Sequence, residues 1–221
     1  MRRVAVTDGM AEEAVRKLEQ AGCEVVQGFI EHDVLDAGGL AEFDAIIVRS
    51  ATKITEQMLI KSQPRLKVVA RAGVGVDNID IPAASTLGLP VVNAPRASTQ
   101  SVVELTIGHL LGSLRFIPRA DRSLRLGEWA KKELKGTELF GKRLGLIGFG
   151  RIAQGVAKVA QAFGMEVHSY DPYLPSSVAR KANVTMHKNV DNLFKTCTHI
   201  SIHCNLTDET HHLINTKRIE M

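Results

Sequence analysis

The stretch GLIGFGRIA, Gly145–Ala153, decides how the chain is read. An apolar run, Arg143–Ile147, leads into two glycines, Gly148 and Gly150, and then into a helical pattern over Ile152–Ala162 that Gly164 stops. In loops of this kind the first glycine makes a tight turn and the second lets a diphosphate approach the backbone. A small third residue, here Ala153, lets helix and strand pack closely. Free amides at the helix start, aided by the helix dipole, receive the anion. Arg151, inside the loop, either pairs with that anion or is simply solvated.

Further along, the strand Glu166–Tyr170 ends at Asp171, 21 residues after Gly150. A carboxylate at that distance binds the ribose diol of adenosine. It would repel a 2′-phosphate, so NAD is the expected cofactor rather than NADP. A short strand near Val184, a helix over Val190–Thr196 and a strand over His199–His203 follow. That gives about four strands, where a full dinucleotide-binding sheet has six in the order 3-2-1-4-5-6.

Ahead of the loop, Val4–Val6, Glu24–Val26, Ala45–Val48, Lys67–Ala70 and Val91–Val92 read as strands, with helices over Ala11–Ala21, Glu56–Ser62 and Pro82–Leu87. Alternating strand and helix predict an α/β fold, a parallel sheet covered on both faces. The segment Ser98–Leu114 is apolar on most sides, which predicts a buried helix between two domains or at a subunit contact. Ser101 and Glu104 fit a capping box, with Ser98 as the alternative start.

The chain has 221 residues, 44% apolar and 24% charged, as expected of a well-cored globule. Its net charge of +4 is spread among acids, which argues against a nucleic-acid surface. Cys23, Cys197 and Cys204 form no CxxC pair, so neither a disulfide framework nor a metal site is expected, and a reducing cytoplasmic setting fits. The opening apolar run is too short for a signal peptide, and no segment is long enough to cross a bilayer, so no membrane association is expected.

Gly73 and Gly75 follow a buried strand, and ligands of open α/β sheets gather at the carboxyl ends of strands. Arg49 and Ser50 end a neighbouring strand, Lys53 follows closely, and Arg71 ends the strand before the glycines. Two arginines and a lysine beside a glycine loop suit a small anionic substrate with a phosphate as well as a carboxylate. Charges that merely sit near loops are the alternative.

GKRLGLIGFGRIAQGVAKVAQAFGMEVHSYDPY, Gly141–Tyr173, resembles the cofactor segment of the D-isomer-specific 2-hydroxyacid dehydrogenases. VRSATKIT, Val48–Thr55, and VVARAGVGVDNIDI, Val68–Ile81, are similar to the phosphoglycerate branch of that family, and the likeness runs from Val4 to Met221. The resemblance implies a flavodoxin-like substrate domain over residues 1–95 and an incomplete, doubly wound Rossmann NAD-binding domain over residues 96–221. It implies NAD-dependent oxidation of D-3-phosphoglycerate to 3-phosphohydroxypyruvate, an entry to serine synthesis, by a homodimer joined through the nucleotide domain. It places Gly148, Phe149, Gly150, Arg151, Ile152, Asp171 and Pro172 at the cofactor, together with Val74, His203 and Cys204. Arg49, Ser50, Lys53, Arg71, Gly73, Val74 and Gly75 fall on the substrate side. Cys204 stands where relatives carry threonine, serine or valine, and Asn205 replaces their usual proline.

The family's catalytic arginine, glutamate and histidine fall on segments that follow a stretch like HHLINTKRIEM, His211–Met221. No catalytic residue is therefore expected in this chain, and a fragment with little or no turnover is the expectation. His203 reads as structural or cofactor-flanking, and His211 and His212 read as a helix start. Other readings are a dehydrogenase of a different D-2-hydroxy acid, or an NAD-sensing module like the family's corepressors, which the stretch HCNLTDETHHLIN resembles.

Overall fold

The computed structural model describes residues 1–221 and divides into two compact units, Met1–Ser98 and Thr99–Met221. The first unit runs β1 (Arg2–Val6), α1 (Glu12–Gln20), β2 (Cys23–Gln27), α2 (His32–Asp36), β3 (Ala45–Val48), α3 (Glu56–Lys61), β4 (Val68–Arg71), α4 (Ile81–Thr86) and β5 (Val91–Asn93). All five strands pair in parallel in the order β2-β1-β3-β4-β5. This is the flavodoxin-like order, whose topological switch lies between β1 and β3. The core, with Leu35, Ile46, Met58, Leu59 and Leu66 fully buried, fills the space between sheet and helices. Short side chains close the helix starts: Thr55 Oγ1 accepts from the Met58 amide (3.4 Å) and Asp80 Oδ1 from the Ala83 amide (3.0 Å).

The second unit runs α5 (Thr99–Leu114), α6 (Ile117–Arg125), β6 (Arg143–Ile147), α7 (Arg151–Ala162), β7 (Glu166–Tyr170), α8 (Ser176–Lys181), β8 (Thr185–His187), α9 (Val190–Thr196), β9 (His199–Ile202) and α10 (Thr216–Ile219). Its four parallel strands stand in the order β8-β7-β6-β9, the first part of a Rossmann sheet. Strand β6 is buried along four consecutive residues, Leu144–Ile147, as a central parallel strand covered on both faces must be. No helix is long and apolar enough to cross a membrane.

Within this unit helix α5 is buried only in part: Val103 and Ile107 are buried while Leu105 is 60% exposed, with α7 and α6 packed against it. The contact with α7 is close, since a Cβ at Gly155 would come within 2.6 Å of Val103 Cγ2. Ser101 and Glu104 lie inside α5 and form no capping box; Glu104 instead accepts from Gln100 (2.8 Å). His211 and His212 do not open a helix, because Asn215 caps α10 at Thr216 and His212 adopts a positive φ of 53° in the turn before it.

Candidate functional site

The glycine loop sits at the carboxyl end of β6. Gly148 has φ of 80°, and a Cβ there would stand 2.8 Å from the Cys204 amide nitrogen and 2.9 Å from the His203 carbonyl. Only glycine fits, for both reasons. The chain leaving β9 therefore presses directly on the loop, held by the His203 amide donating to Ile147 O (2.7 Å). Gly150 is different: its φ is −70° and nothing lies within 4 Å of where a Cβ would be. That open space is what close approach of a diphosphate to the backbone requires, so the residues present fit a dinucleotide.

Helix α7 begins at Arg151 with no side-chain cap, and its first hydrogen bond runs from the Gln154 amide to Gly150 O (3.0 Å). The amides before Gln154 have no partner within the helix and are available to an anion. Arg151 is exposed and makes no ion pair, while Ile152 is half-buried and Ala153 fully buried against the sheet. The Phe149 side chain is fully buried in the core, so it presents its backbone to the loop. Gln154 Nε2 donates to Phe149 O (2.9 Å) and stiffens the turn, a role its position in sequence did not announce.

Asp171 is tied in place. Its Oδ2 accepts from the Phe149 amide (2.8 Å), and its Oδ1 accepts from the amides of Tyr173 (2.9 Å) and Leu174 (3.1 Å). The carboxylate so joins the loop after β7 to the glycine loop after β6. A carboxylate has about four acceptor positions, so capacity remains for a sugar hydroxyl. Pro172 and Tyr173 beside it are exposed. His203 is half-buried, with Nε2 2.9 Å from Ser201 Oγ, and burial pushes its pKa down. Burial also pushes the Cys204 thiol up, with Asp171 adding to the effect, so this thiol is a neutral, weakly polar wall.

At the carboxyl ends of β3 and β4 the first unit gathers its own set. Arg49, Ser50 and Lys53 are exposed, and none of their side chains is paired. Arg71 is partly spent: Nε donates to Arg49 O (3.1 Å) and Nη1 to Gly75 O (2.6 Å), bracing the Gly73–Gly75 loop around Val74. Asn93 Nδ2 holds Val74 O from the other side (2.6 Å).

Asp8 is the residue that sequence reading missed here. Its Oδ2 accepts from the amides of Arg49 (2.7 Å), Ala51 (3.2 Å) and Thr52 (3.0 Å), and its Oδ1 from Thr52 Oγ1. Burial raises its pKa, but the bonds from Thr52, Arg49 and Thr7 outweigh that and hold it below the usual value. The carboxylate fixes the loop after β3, leaving the Arg49 and Lys53 side chains free.

A sheet with a glycine loop at β6 and an acid at the end of β7 defines a dinucleotide-binding protein. The family described as D-isomer specific 2-hydroxyacid dehydrogenase, NAD binding domain, matches residues 107–221. Among relatives, the hydroxypyruvate reductase of Thermotoga maritima is 45% identical over 218 residues, 98% of this chain and 69% of that protein. The D-3-phosphoglycerate dehydrogenase of Methanocaldococcus jannaschii is 45% identical over 222 residues, all of this chain but 42% of that protein. Among solved structures, the D-lactate dehydrogenase of Aquifex aeolicus complexed with NAD and lactic acid superposes with a TM-score of 0.86 at 30% identity, covering 98% of this chain and 65% of that one.

The chain belongs to the D-isomer specific 2-hydroxyacid dehydrogenase family, and its cofactor is NAD. It spans less than half the length of the archaeal phosphoglycerate dehydrogenase it matches.

Proposed function

We propose that this chain supplies the nucleotide-gripping and substrate-gripping parts of an NAD-dependent dehydrogenase that oxidises D-3-phosphoglycerate to 3-phosphohydroxypyruvate. The observation that carries the substrate is the pair of unspent cations, Arg49 and Lys53, exposed beside a loop that Asp8 holds rigid. A substrate with a phosphate as well as a carboxylate carries more negative charge than Arg71 alone balances, and Arg49 and Lys53 suit the surplus. Arg71 and the amides of the Gly73–Gly75 loop suit the carboxylate, with Ser50 beside them.

When bound, NAD accepts the hydride from the substrate's secondary alcohol carbon. In this reading the α7 amides and Arg151 hold the diphosphate and Asp171 the ribose. Gly148, Phe149, Gly150 and Ile152 shape the loop, with Pro172, His203 and Cys204 walling it. His203, half-buried and bonded to Ser201, flanks the cofactor and is not assigned as a base. We assign no base within residues 1–221. The protein works as a cytoplasmic homodimer joined through the nucleotide-binding unit.

The Thermotoga relative keeps a second reading open, reduction of hydroxypyruvate, a substrate without phosphate. Steady-state rates of the protein carrying this chain with D-3-phosphoglycerate and with D-glycerate decide between them. A kcat/KM at least about tenfold higher for the phosphorylated acid is expected, falling at least about tenfold in Arg49→Ala or Lys53→Ala. Equal or better use of D-glycerate refutes the phosphate reading.

A further inference from the structure

Tyr173 and Glu209 form a pair beside Asp171. Tyr173 is 77% exposed, yet its hydroxyl donates to the Glu209 carboxylate. Tyr173 follows β7 and Glu209 follows β9, the two strands on either side of β6. The pair thus links the loops on both sides of the strand that ends at Gly148. The Asp171 turn anchors it, because Asp171 Oδ1 accepts the Tyr173 amide.

We propose that Glu209, held in place by Tyr173, is a second specificity-determining carboxylate of this site, which with Asp171 turns away a dinucleotide bearing a 2′-phosphate. Asp171 alone is a weakened sentinel, since three amide dipoles, from Phe149, Tyr173 and Leu174, already point at its oxygens. Each donor offsets part of the negative potential it presents outward. Glu209 accepts one phenol bond and no amide, so its charge is less compensated. Tyr173 touches both carboxylates, its amide donating to Asp171 Oδ1 and its hydroxyl to Glu209.

The two loops hold no answering cation, and Arg151 of the glycine loop is assigned to the diphosphate. Neither Glu166–Ser176 nor His203–Asn215 contains a lysine or arginine, whereas sites that accept NADP place an arginine near the 2′-phosphate. Asp208 adds a further acid beside Glu209. An anion arriving at the ribose meets only negative charge from these two loops.

The inference rests on assigning the adenosine ribose to Asp171, and fluorescence titrations of the full chain with NADH and with NADPH test the two separately. Glu209→Gln is expected to lower the ratio of the NADPH to the NADH dissociation constant about fivefold, with NADH affinity changed less than about twofold. Tyr173→Phe keeps the charge but releases it, and lowers the ratio by a smaller factor. At about 1 M salt the difference between wild type and Glu209→Gln shrinks towards nothing, because an exposed charge is screened. An unchanged ratio in Glu209→Gln, or an equal loss of both nucleotides, overturns the proposal and leaves the pair as a structural tie. Asp171→Asn in the same titration reports on the ribose: unchanged NADH affinity there removes the assignment itself.

Discussion

A methyl group at position 148 would have to share space with the backbone of His203 and Cys204, while one at position 150 would meet nothing. The two glycines of one motif therefore do different work, and substitution separates them. Gly148→Ala forces a Cβ into the positive-φ region and into a backbone that cannot move aside, so it costs the second unit about 2–4 kcal/mol. Urea denaturation reads this directly, and wild-type stability would contradict it. Gly150→Ala leaves stability within about 0.5 kcal/mol, because its φ is ordinary and its surroundings are open. It weakens NADH binding by about tenfold or more, since the added methyl occupies the path of the diphosphate. Sequence shows both residues as members of one pattern. Only the closeness of the chain leaving β9 shows which of them is packed against backbone and which faces open space.

The elements themselves were largely legible. Strands β6 and β7 and helix α9 lie where apolar runs and glycine stops place them, since their burial is local in pattern. Helices α2, α6 and α8 were not read, and the start of α10 was placed too early. Three of these four have six residues or fewer, which is less than two helical turns and too short for a periodic stripe to emerge. Helix α6 was hidden by its many charges, although Phe116 at a positive φ of 53° marks its start and Pro118 its first turn.

The α5–α7 contact belongs to this scale as well. Gly155 lies within an amphipathic helix and carries no signal of its own, yet it is the point at which Val103 reaches the α7 backbone. Gly155→Val overpacks that contact and costs about 1–3 kcal/mol. The melting temperature of the chain falls accordingly, and Gly155→Ala, with a smaller intrusion, falls less. An unchanged melt in Gly155→Val would show that α5 shifts freely on α7.

At the scale of the whole chain, pH acts through two sets of groups. Burial holds His168, His187, His199 and His203 below their ordinary value of 6.5, with neighbouring His187 adding to the effect at His168. The unfolded chain binds protons at these positions near pH 6.5 and the folded chain does not. Stability is therefore full above 6.5 and declines as pH falls from there to the folded values. Asp44 and Asp191 are held low by the Arg3 amide and the Arg218 guanidinium respectively; Asp8 is held low by bonds from Thr52 and Arg49 that outweigh its burial. These carboxylates add a second loss as pH falls below 3.8 and through their folded values. Thermal melts from about pH 7.5 to about pH 5 are expected to show a falling melting temperature before Asp8, Asp44 and Asp191 titrate. A flat profile over that range would contradict the buried-histidine account.

The sequence by itself determined the parallel α/β class, the glycine loop at Gly148–Ala153 between strand and helix, and the acid at Asp171 after the next strand, because each depends on residues close together along the chain and on spacings set by strand and helix geometry. The tertiary structure alone decided what those residues touch. Asp8 reaches Thr52 across 44 positions, Asp171 reaches Phe149 across 22, and Tyr173 reaches Glu209 across 36. Such partners meet only once strand order brings the carboxyl ends of β1 and β3, or of β7, β6 and β9, side by side. Hydrogen bonds between loops depend on that order and not on any interval along the chain.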